Sequence, residues 1–402
     1  MIYRRHFPKI LNPLLFILYS LVKLFPRDAN KWLFGSGVGN SFSDNAKYFY
    51  LYSSARPEIK SYWITVNRDL VNRLRANNLN AYYKYSMKGL WLALTSKIYI
   101  YDSRINGINY WLSNGAYKVA LWHGSPLKTI DRDVSISNNM FYIGNHTFGL
   151  RRYFVRFINP ECFVTPDLMI ASSDKVRGYF ESAFGCSNVL TTGYPRNDVI
   201  HYPAKYKQYL DHEKNIIGAI NSKKVVLYVP TFRDTNRYKR ETPIDWKILN
   251  DLMVKNDTCF LIKLHRNDYS VVLEKEFSNI SVLHSNSDMY PLFEHVDLLI
   301  TDYSSIFFDF LLTDKPVLFF PYDKDDYLTK DRSLYDEYDL VTPGRKAYDF
   351  KQLFILIEDF LESPETFNHS QYSEIKEMYN KYIDGKSNER VFSEVFSITK
   401  ML

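Results

Sequence analysis

The sequence predicts an α/β protein made of two doubly wound halves, each built on a parallel sheet. Three observations carry this. Short runs of β-branched and aromatic residues alternate with stretches of helical periodicity. The alternation occurs twice, with a polar, charged stretch between the two series. The length, 402 residues, suits two domains of ordinary size. Strands that alternate with helices pair in parallel, and ligands then sit where strand ends meet the following loops. Two halves of similar size imply a cleft.

The chain opens with a basic, apolar segment, residues 1–31. Arg4, Arg5, Lys9, Lys23, Arg27 and Lys31 face one acid, Asp28. The apolar run Ile10–Phe25 is broken by Asn12, Pro13, Ser20 and Lys23. A spanning helix needs about 20 mostly apolar residues, more than this run provides. No small-residue cleavage site follows, which excludes a secretory signal. The segment therefore reads as a helix lying in the bilayer interface, each cation adding about 1 kcal/mol near anionic lipid. The alternative is a helix packed on the protein's own body.

The first series of elements follows, assigned to a domain over residues 32–205. Lys31–Gly35, Ser61–Val66, Lys97–Tyr101 and Lys118–Trp122 read as strands, with helices over Asp69–Ala76 and Ser86–Leu94. Asp167–Ser172 is a further strand, Asp174–Phe184 a helix, and Val189–Thr192 a strand leading into Gly193-Tyr-Pro-Arg. The composition turns polar over Tyr202–Asn221, and the second domain is assigned to residues 206–368. Its strands are Lys224–Val229, Cys259–Leu264, Ile280–Leu283, Leu298–Thr301 and Val317–Phe320. Its helices are Asp245–Lys255, Ser304–Leu312 and Phe350–Glu362. Residues 369–402, helical over Ser373–Phe396, are expected to pack across both domains.

Composition narrows the function. A hydrophobic fraction of 46% with 24% charge excludes a disordered, collagen-like or polytopic membrane protein. The net charge of +6 is concentrated in the first 31 residues, so the nearly neutral body is not a general nucleic-acid binder. Cys162, Cys186 and Cys259 are few, far apart and without metal spacing, which fits a reducing cytosol with no disulfide framework or zinc site.

Four strand-end loops carry the candidate chemistry. In Trp122-His123-Gly124-Ser125-Pro126-Leu127-Lys128, His123 can take a proton from a hydroxyl near neutral pH, Gly124 permits close backbone approach, and Lys128 adds a cation. In Val229-Pro230-Thr231-Phe232-Arg233-Asp234, the proline stops the strand and presents Thr231 and Arg233, whose planar fork suits phosphate. In Lys263-Leu264-His265-Arg266-Asn267, three cation-capable groups share a strand tip that an anion would satisfy. In Ile300–Asp309, Thr301 and Asp302 end a strand. Ser304 or Ser305 caps a helix whose free N–H groups suit a phosphate, and Asp309 lies one turn on, within reach of a ribose hydroxyl. Each loop alone also reads as an ordinary turn, surface pair or cap; the four together are far more specific.

These runs resemble the CDP-glycerol glycerophosphotransferases, enzymes of teichoic acid and capsule polymer synthesis. Ile300–Asp323 (ITDYSSIFFDFLLTDKPVLFFPYD) carries the resemblance furthest, with Lys31–Tyr52 and the WHGSPLK, PTFRD and KLHRN loops. It covers about residues 30 to 390. It implies a GT-B fold, two Rossmann-like domains facing a central cleft with the CDP-alditol held by the second, and monotopic attachment at the cytoplasmic face of the membrane. It implies no metal and no cofactor. By the same resemblance His123 is the catalytic base, and His265 is a second essential histidine near the donor diphosphate. Thr301, Asp302, Ser304 and Ser305 form the donor loop, and Arg332 matches a donor-site arginine. Gly124, Ser125, Lys128, Thr231, Arg233, Lys263 and Asp309 complete the expected substrate contacts. The chain departs from the pattern at Arg332-Ser333, where Arg-Gly is usual, at Arg266, where Pro is usual, and at Pro343-Gly344-Arg345, where Pro-Gly-Pro is usual.

The expected reaction transfers glycerol phosphate, or another alditol phosphate, from the CDP-alditol to a hydroxyl of a lipid-linked or polymeric acceptor and releases CMP. Two other classes fit less of the pattern: a nucleotide-sugar glycosyltransferase on the same fold, and a non-catalytic module that binds polymer or lipid.

Overall fold

The computed structural model describes residues 12–136, 139–209, 213–220, 223–231, 233, 242–264, 276–285, 287–330, 333–367 and 370–402. It divides into two compact units. The first joins the chain up to His123 with Ile130–Asp198 and Lys386–Leu402; the second joins Gly124–Thr129 with Val199–Gly385. The division at Asp198 falls ahead of the polar stretch that the composition marks. The short loop after His123 also belongs with the second unit, a feature that no composition shift announces.

The first unit holds a seven-stranded sheet: β1 (Asp28–Gly35), β2 (Lys60–Thr65), β3 (Ala81–Tyr83), β4 (Ser96–Tyr101), β5 (Tyr117–Ala120), β6 (Leu168–Ala171) and β7 (Val189–Thr191). All pairings are parallel, in the order β3-β2-β1-β4-β5-β6-β7. The order reverses between β1 and β4, the switch point where a doubly wound sheet opens a crevice. Trp32, Leu33 and Phe34 of β1 are fully buried, as expected of a strand covered on both faces. The helices ahead of β7 are α1 (Asn12–Val22), α2 (Asp44–Ser54), α3 (Arg68–Ala76), α4 (Met87–Thr95), α5 (Met140–His146), α6 (Leu150–Ile158) and α7 (Asp174–Phe184). Side chains of Asn67, Ser86 and Ser173 cap α3, α4 and α7 by accepting from their first-turn N–H groups.

The second unit holds a five-stranded parallel sheet: β8 (Lys224–Val229), β9 (Thr258–Ile262), β10 (Ile280–Val282), β11 (Leu298–Thr301) and β12 (Val317–Phe319), in the order β10-β9-β8-β11-β12. Its switch point lies between β8 and β11. Val226, Tyr228, Phe260, Ile262, Leu298 and Ile300 meet Leu353, Ile357 and Phe360 of the helix Phe350–Glu362 in one core cluster.

Three expectations need correction. The basic N-terminal segment is not one interfacial helix through residue 31. Residues 1–11 lie outside the described residues, α1 ends at Val22, and Asp28–Lys31 already belong to β1. One face of α1 packs on its own unit, with Phe16 against Trp111 and Phe157 and Tyr19 stacked on Tyr110. Arg27 points inward: its guanidinium donates to the carbonyls of Ala93, Ser96, Leu112 and Asn114 at 2.6–3.1 Å. Among the described residues no helix is long and apolar enough to cross a membrane. Second, the strand expected over Lys118–Trp122 stops at Ala120, because Trp122 takes a left-handed conformation, φ +52°. Third, the C-terminal helical stretch is two helices, Gln371–Tyr379 in the second unit and Ser387–Met401 in the first. The last helix is bolted to the first unit. Asp198 accepts from the backbone N–H groups of Ser387 and Asn388, both at 2.9 Å, and Trp32 Nε1 donates to Thr399 at 3.1 Å.

Candidate active site

In the first unit the strand-end loops after β1, β4 and β5 meet around His123. The chain leaves β5 and makes a left-handed turn at Trp122, a conformation that bulky residues rarely adopt. The imidazole is stacked at a tilt on the Trp122 ring, centroids 4.2 Å apart, and Trp122 meets Phe184 edge-on at 4.6 Å. His123 Nδ1 lies 3.2 Å from the Asp102 carbonyl oxygen. A carbonyl can only accept, so Nδ1 carries the proton and Nε2 keeps its lone pair. The imidazole keeps solvent-exposed surface while protein crowds its other sides. That crowding lowers its pKa by desolvation. Asp44 and the Asp102 carbonyl oppose the shift; Arg196 and Arg104 add to it. His123 is thus held neutral, with a basic nitrogen available.

The surrounding polar frame is buried. Asp102 is 2% exposed and accepts from the Gly37 N–H at 2.9 Å through one carboxylate oxygen. Burial, then the neighbouring Asp44, raises its pKa; the Ser36 and Gly37 contacts only partly offset this. Asp44, itself at φ +63°, pairs with Arg196 at 2.7 Å. Asn45 is fully buried at the start of α2. Its Nδ2 donates to the carbonyls of Leu121 (3.2 Å) and Trp122 (2.9 Å), and its Oδ1 accepts from the Arg196 N–H at 3.1 Å.

Beyond His123 the chain enters the second unit. Gly124 sits at φ +131°, where a side chain would be strained. Ser125 is fully buried. Lys128 bridges to Leu334, the Thr129 N–H donates to Ser333 O at 2.9 Å, and the Tyr335 N–H donates to Leu127 O at 3.0 Å.

At the switch point of the second sheet, the Thr231 N–H donates to Asp302 at 2.8 Å, tying the loop after β8 to the loop after β11. Arg233 is 9% exposed and surrounded by acceptors. Nε and Nη2 each donate to Asp323 at 2.9 Å, Nη1 lies 2.8 Å from Asp302 Oδ2, and Nη1 also donates to the Thr231 carbonyl. Its guanidinium carbon lies 5.1 Å from the centroids of both Tyr303 and Tyr327, rings that stack at 3.8 Å. Tyr338 donates to the Asp302 carbonyl at 3.0 Å. Burial opposes the guanidinium's charge, and Asp302 and then Asp323 more than offset it.

The expected donor residues therefore divide. Ser304 and Ser305 are half-buried at the head of the helix Ile306–Phe310, with access to solvent. Thr301 is fully buried and donates to Val229 O at 2.7 Å. Asp302 is fully buried between Arg233 and backbone N–H groups. Asp309, expected to reach a ribose, is instead fully buried and accepts from Tyr290 at 2.7 Å, because its helix turns that face into the core. Arg233 is turned onto two carboxylates rather than outward. Lys263 is half-buried and donates to the carbonyls of His284 and Ser285 at 2.9 and 2.7 Å. His265 and Arg332 lie outside the described residues. Among the described residues no group of three or more His, Cys, Asp or Glu side chains could hold a metal ion.

Asp44, Asn45, Asp102 and Asp323 escape the loop-by-loop reading. Asp102 and Asp323 each follow an apolar strand closely, a signal that could have marked them. Asp44 and Asn45 lie inside the block Lys31–Tyr52, just before an aromatic run.

This arrangement of strand-end loops has known relatives. A family model described as CDP-glycerol:poly(glycerophosphate) glycerophosphotransferase matches residues 17–397. The chain belongs to this family. Relatives of this glycerophosphotransferase include the teichoic acid poly(glycerol phosphate) polymerase of Bacillus spizizenii, 26% identical over 400 residues, covering 94% of this chain and 95% of that one. The teichoic acid glycerol-phosphate transferase of Staphylococcus aureus is 27% identical over 398 residues, covering 94% and 96%. In fold the glycerophosphotransferase is similar to the wall teichoic acid polymerase TagF, with a TM-score of 0.76 at 24% identity over 98% of this chain and 96% of that one.

Proposed function

We propose that the chain transfers glycerol phosphate from CDP-glycerol to an acceptor hydroxyl, with His123 as general base. The observation that supports this reading most directly is the fixed tautomer of His123: Nδ1 bonded to Asp102 O, Nε2 basic, the ring held neutral by its surroundings. The acceptor oxygen attacks the phosphorus that bears glycerol. Its proton passes to Nε2, the bond from that phosphorus to the bridging oxygen of the diphosphate breaks, and CMP leaves. Base catalysis of this kind is worth about 10²–10⁴-fold. In this reading the two units work as those of a GT-B transferase. The second binds the nucleotide through Ser304 and Ser305, and His265 with Lys263 and Arg332 balances charge on the leaving phosphate. Gly124, Ser125, Lys128 and Thr231 shape the approach, while Thr301, Asp302, Arg233 and Asp309 stiffen the donor loop from behind.

The reading extends to the cytoplasmic membrane face and a lipid-linked or polymeric acceptor. Leu14, Ile17 and Leu21 of α1 are 60–65% exposed, and Leu150, Tyr153 and Phe154 of α6 are 64–88% exposed. α6 carries Arg151, Arg152 and Arg156 and no acid. An open apolar groove of about 920 Å³, lined by Phe16, Phe154, Phe157 and Phe163 among others, runs between these helices. Apolar faces with basic flanks suit an anionic bilayer surface.

The test is turnover of CDP-glycerol with a lipid-linked acceptor, read by CMP release and phosphorus NMR. A new phosphodiester supports the reading. A transferred sugar with no phosphodiester would make the chain a glycosyltransferase, and release of no nucleotide with any donor would make it a binding module. His123→Ala retaining more than a tenth of wild-type turnover would remove the base.

A further inference from the structure

We propose that Asn45 is the positioning residue for His123: its carboxamide clips the two carbonyls before the histidine and so holds the strained turn that aims the imidazole. This rests on the reading of His123 as the base.

The argument starts from the turn. Trp122 has φ +52°, a region that is strained for a bulky L-residue and persists only where the surroundings over-determine it. Glycine, the cheap solution, is absent at this position. The ring alone does not explain the turn, since Phe184 and His123 contact it through faces and edges that tolerate sliding. The carbonyls do. Those of Leu121 and Trp122 both point to one buried donor group, Asn45 Nδ2, at 3.2 and 2.9 Å. The orientation of these two peptide planes sets φ and ψ at Trp122 and the direction in which the His123 side chain leaves the backbone. A relaxed turn would swing at least one carbonyl off the amide and carry Nδ1 away from Asp102 O, releasing the tautomer.

Asn45 itself is anchored. It opens α2 next to Asp44, and its Oδ1 takes the Arg196 N–H from the loop after β7. Both Nδ2 hydrogens and one lone-pair direction are engaged within the protein, and the residue has no exposed surface. It therefore touches neither substrate nor reacting atoms and acts only through the turn. The neighbouring Asp44–Arg196 pair shares this anchorage, so three strand-end loops converge on one amide.

The experiment is a double-mutant cycle in the full chain, combining Asn45→Ala with Trp122→Gly, read by steady-state kinetics with CDP-glycerol and a lipid-linked acceptor. Asn45→Ala is expected to lower kcat at least 30-fold with the KM for CDP-glycerol within threefold of wild type. The acidic limb of its kcat–pH profile moves up toward the ordinary imidazole value as the ring loses its crowded setting. In the Trp122→Gly background, where glycine adopts the turn without strain, the same substitution lowers kcat less than threefold. A residue that merely supports the fold would give additive losses and an unmoved pH limb. Should Asn45→Ala fail to fold, Asn45→Leu, which keeps the shape without charge and lacks the donor hydrogens, carries the same expectations. A folded Asn45 variant with kcat within threefold of wild type, or additive losses, overturns the proposal. An inactive His123→Ala beside a fully active Asn45→Ala rejects the clip alone, whereas an active His123→Ala rejects the base assignment from which the clip was inferred.

Discussion

Arg233 grips Asp323 through two hydrogen bonds of 2.9 Å, one from Nε and one from Nη2. The pair joins the loop after β8 to the chain beyond β12, and Asp302 of the intervening loop sits on the third nitrogen. Removing Asp323 leaves the buried guanidinium with Asp302 as its carboxylate partner, a substantial part of the roughly 3–5 kcal/mol lost when a buried pair is broken outright. Asp323→Ala is therefore expected to lower the melting temperature of the second unit by many degrees. Arg233→Lys, which replaces the fork by a single ammonium, is expected to be less stable than wild type but more stable than Arg233→Ala. Calorimetry on the purified variants checks both.

The lowered pKa of His123 fixes the pH dependence of turnover. A base works when neutral, and desolvation by the protein crowded around its covered sides keeps this one neutral below its ordinary value of about 6.5. The acidic limb of kcat/KM is expected to lie below pH 6.5, with activity flat above it until another group titrates. Stability follows the same sign. The unfolded chain takes up this proton first as pH falls, so the His123 contribution to folding is lost below about pH 6.5. A kcat/KM profile and melting curves between pH 5 and 8 measure the two effects.

Asp102 has the opposite linkage. Its carboxyl is raised in the fold and titrates near 3.9 in the unfolded chain. The folded state keeps a proton there that the unfolded state releases, so stability declines as pH rises from about 4 through the raised value. Asp102→Asn keeps an acceptor for the Gly37 N–H and removes the titration. The variant is expected to melt at a temperature that depends less on pH and exceeds that of wild type on the alkaline side, as thermal scans would record.

Arg27 satisfies four carbonyls in the first unit. Arg27→Ala leaves them without their shared donor and is expected to destabilise the protein by at least about 2 kcal/mol, given typical losses of 1–3 kcal/mol per unsatisfied buried group. Lys23→Ala in the same segment is expected to have little effect on stability. Urea unfolding of the two variants separates a structural cation from a surface one.

Leu14→Ser/Ile17→Ser/Leu21→Ser on α1, or Leu150→Ser/Phe154→Ser on α6, should weaken co-sedimentation with anionic vesicles at least tenfold. Binding of CDP-glycerol in solution should stay within twofold of wild type. Unchanged sedimentation of both variants would mean that these faces do not meet the bilayer.

Much of the fold is legible because parallel strands buried on both faces announce themselves as short apolar runs. Four elements, Asp174–Phe184, Lys224–Val229, Leu298–Thr301 and Phe350–Glu362, match the expected bounds throughout. What stays hidden depends on partners distant in sequence. Arg233 has Asp234 as its neighbour in the chain, yet it bonds Asp323, 90 positions away. Asn45 meets carbonyls 76 and 77 positions ahead. Arg27 counts as a surface cation until its four carbonyls are seen. α5 and α6 lack a buried strip strong enough to mark them; every residue of α6 keeps some exposure, so its apolar side chains give no core signal. Strand tips advertise reactive side chains, while the contacts that aim those side chains come from elsewhere in the chain.

The bonding of Ser387 and Asn388 to Asp198 also sets an order of events on the ribosome. The N-terminal unit cannot complete its own packing until the helix Ser387–Met401 emerges, after all of the other unit has been translated. At bacterial-like rates of about 5–20 residues per second, that leaves an interval of roughly 10–40 s in which β1, α2 and the turn after β7 await their cover. During that wait the nascent chain holds exposed apolar surface, Trp32 among it, that its own last helix later covers.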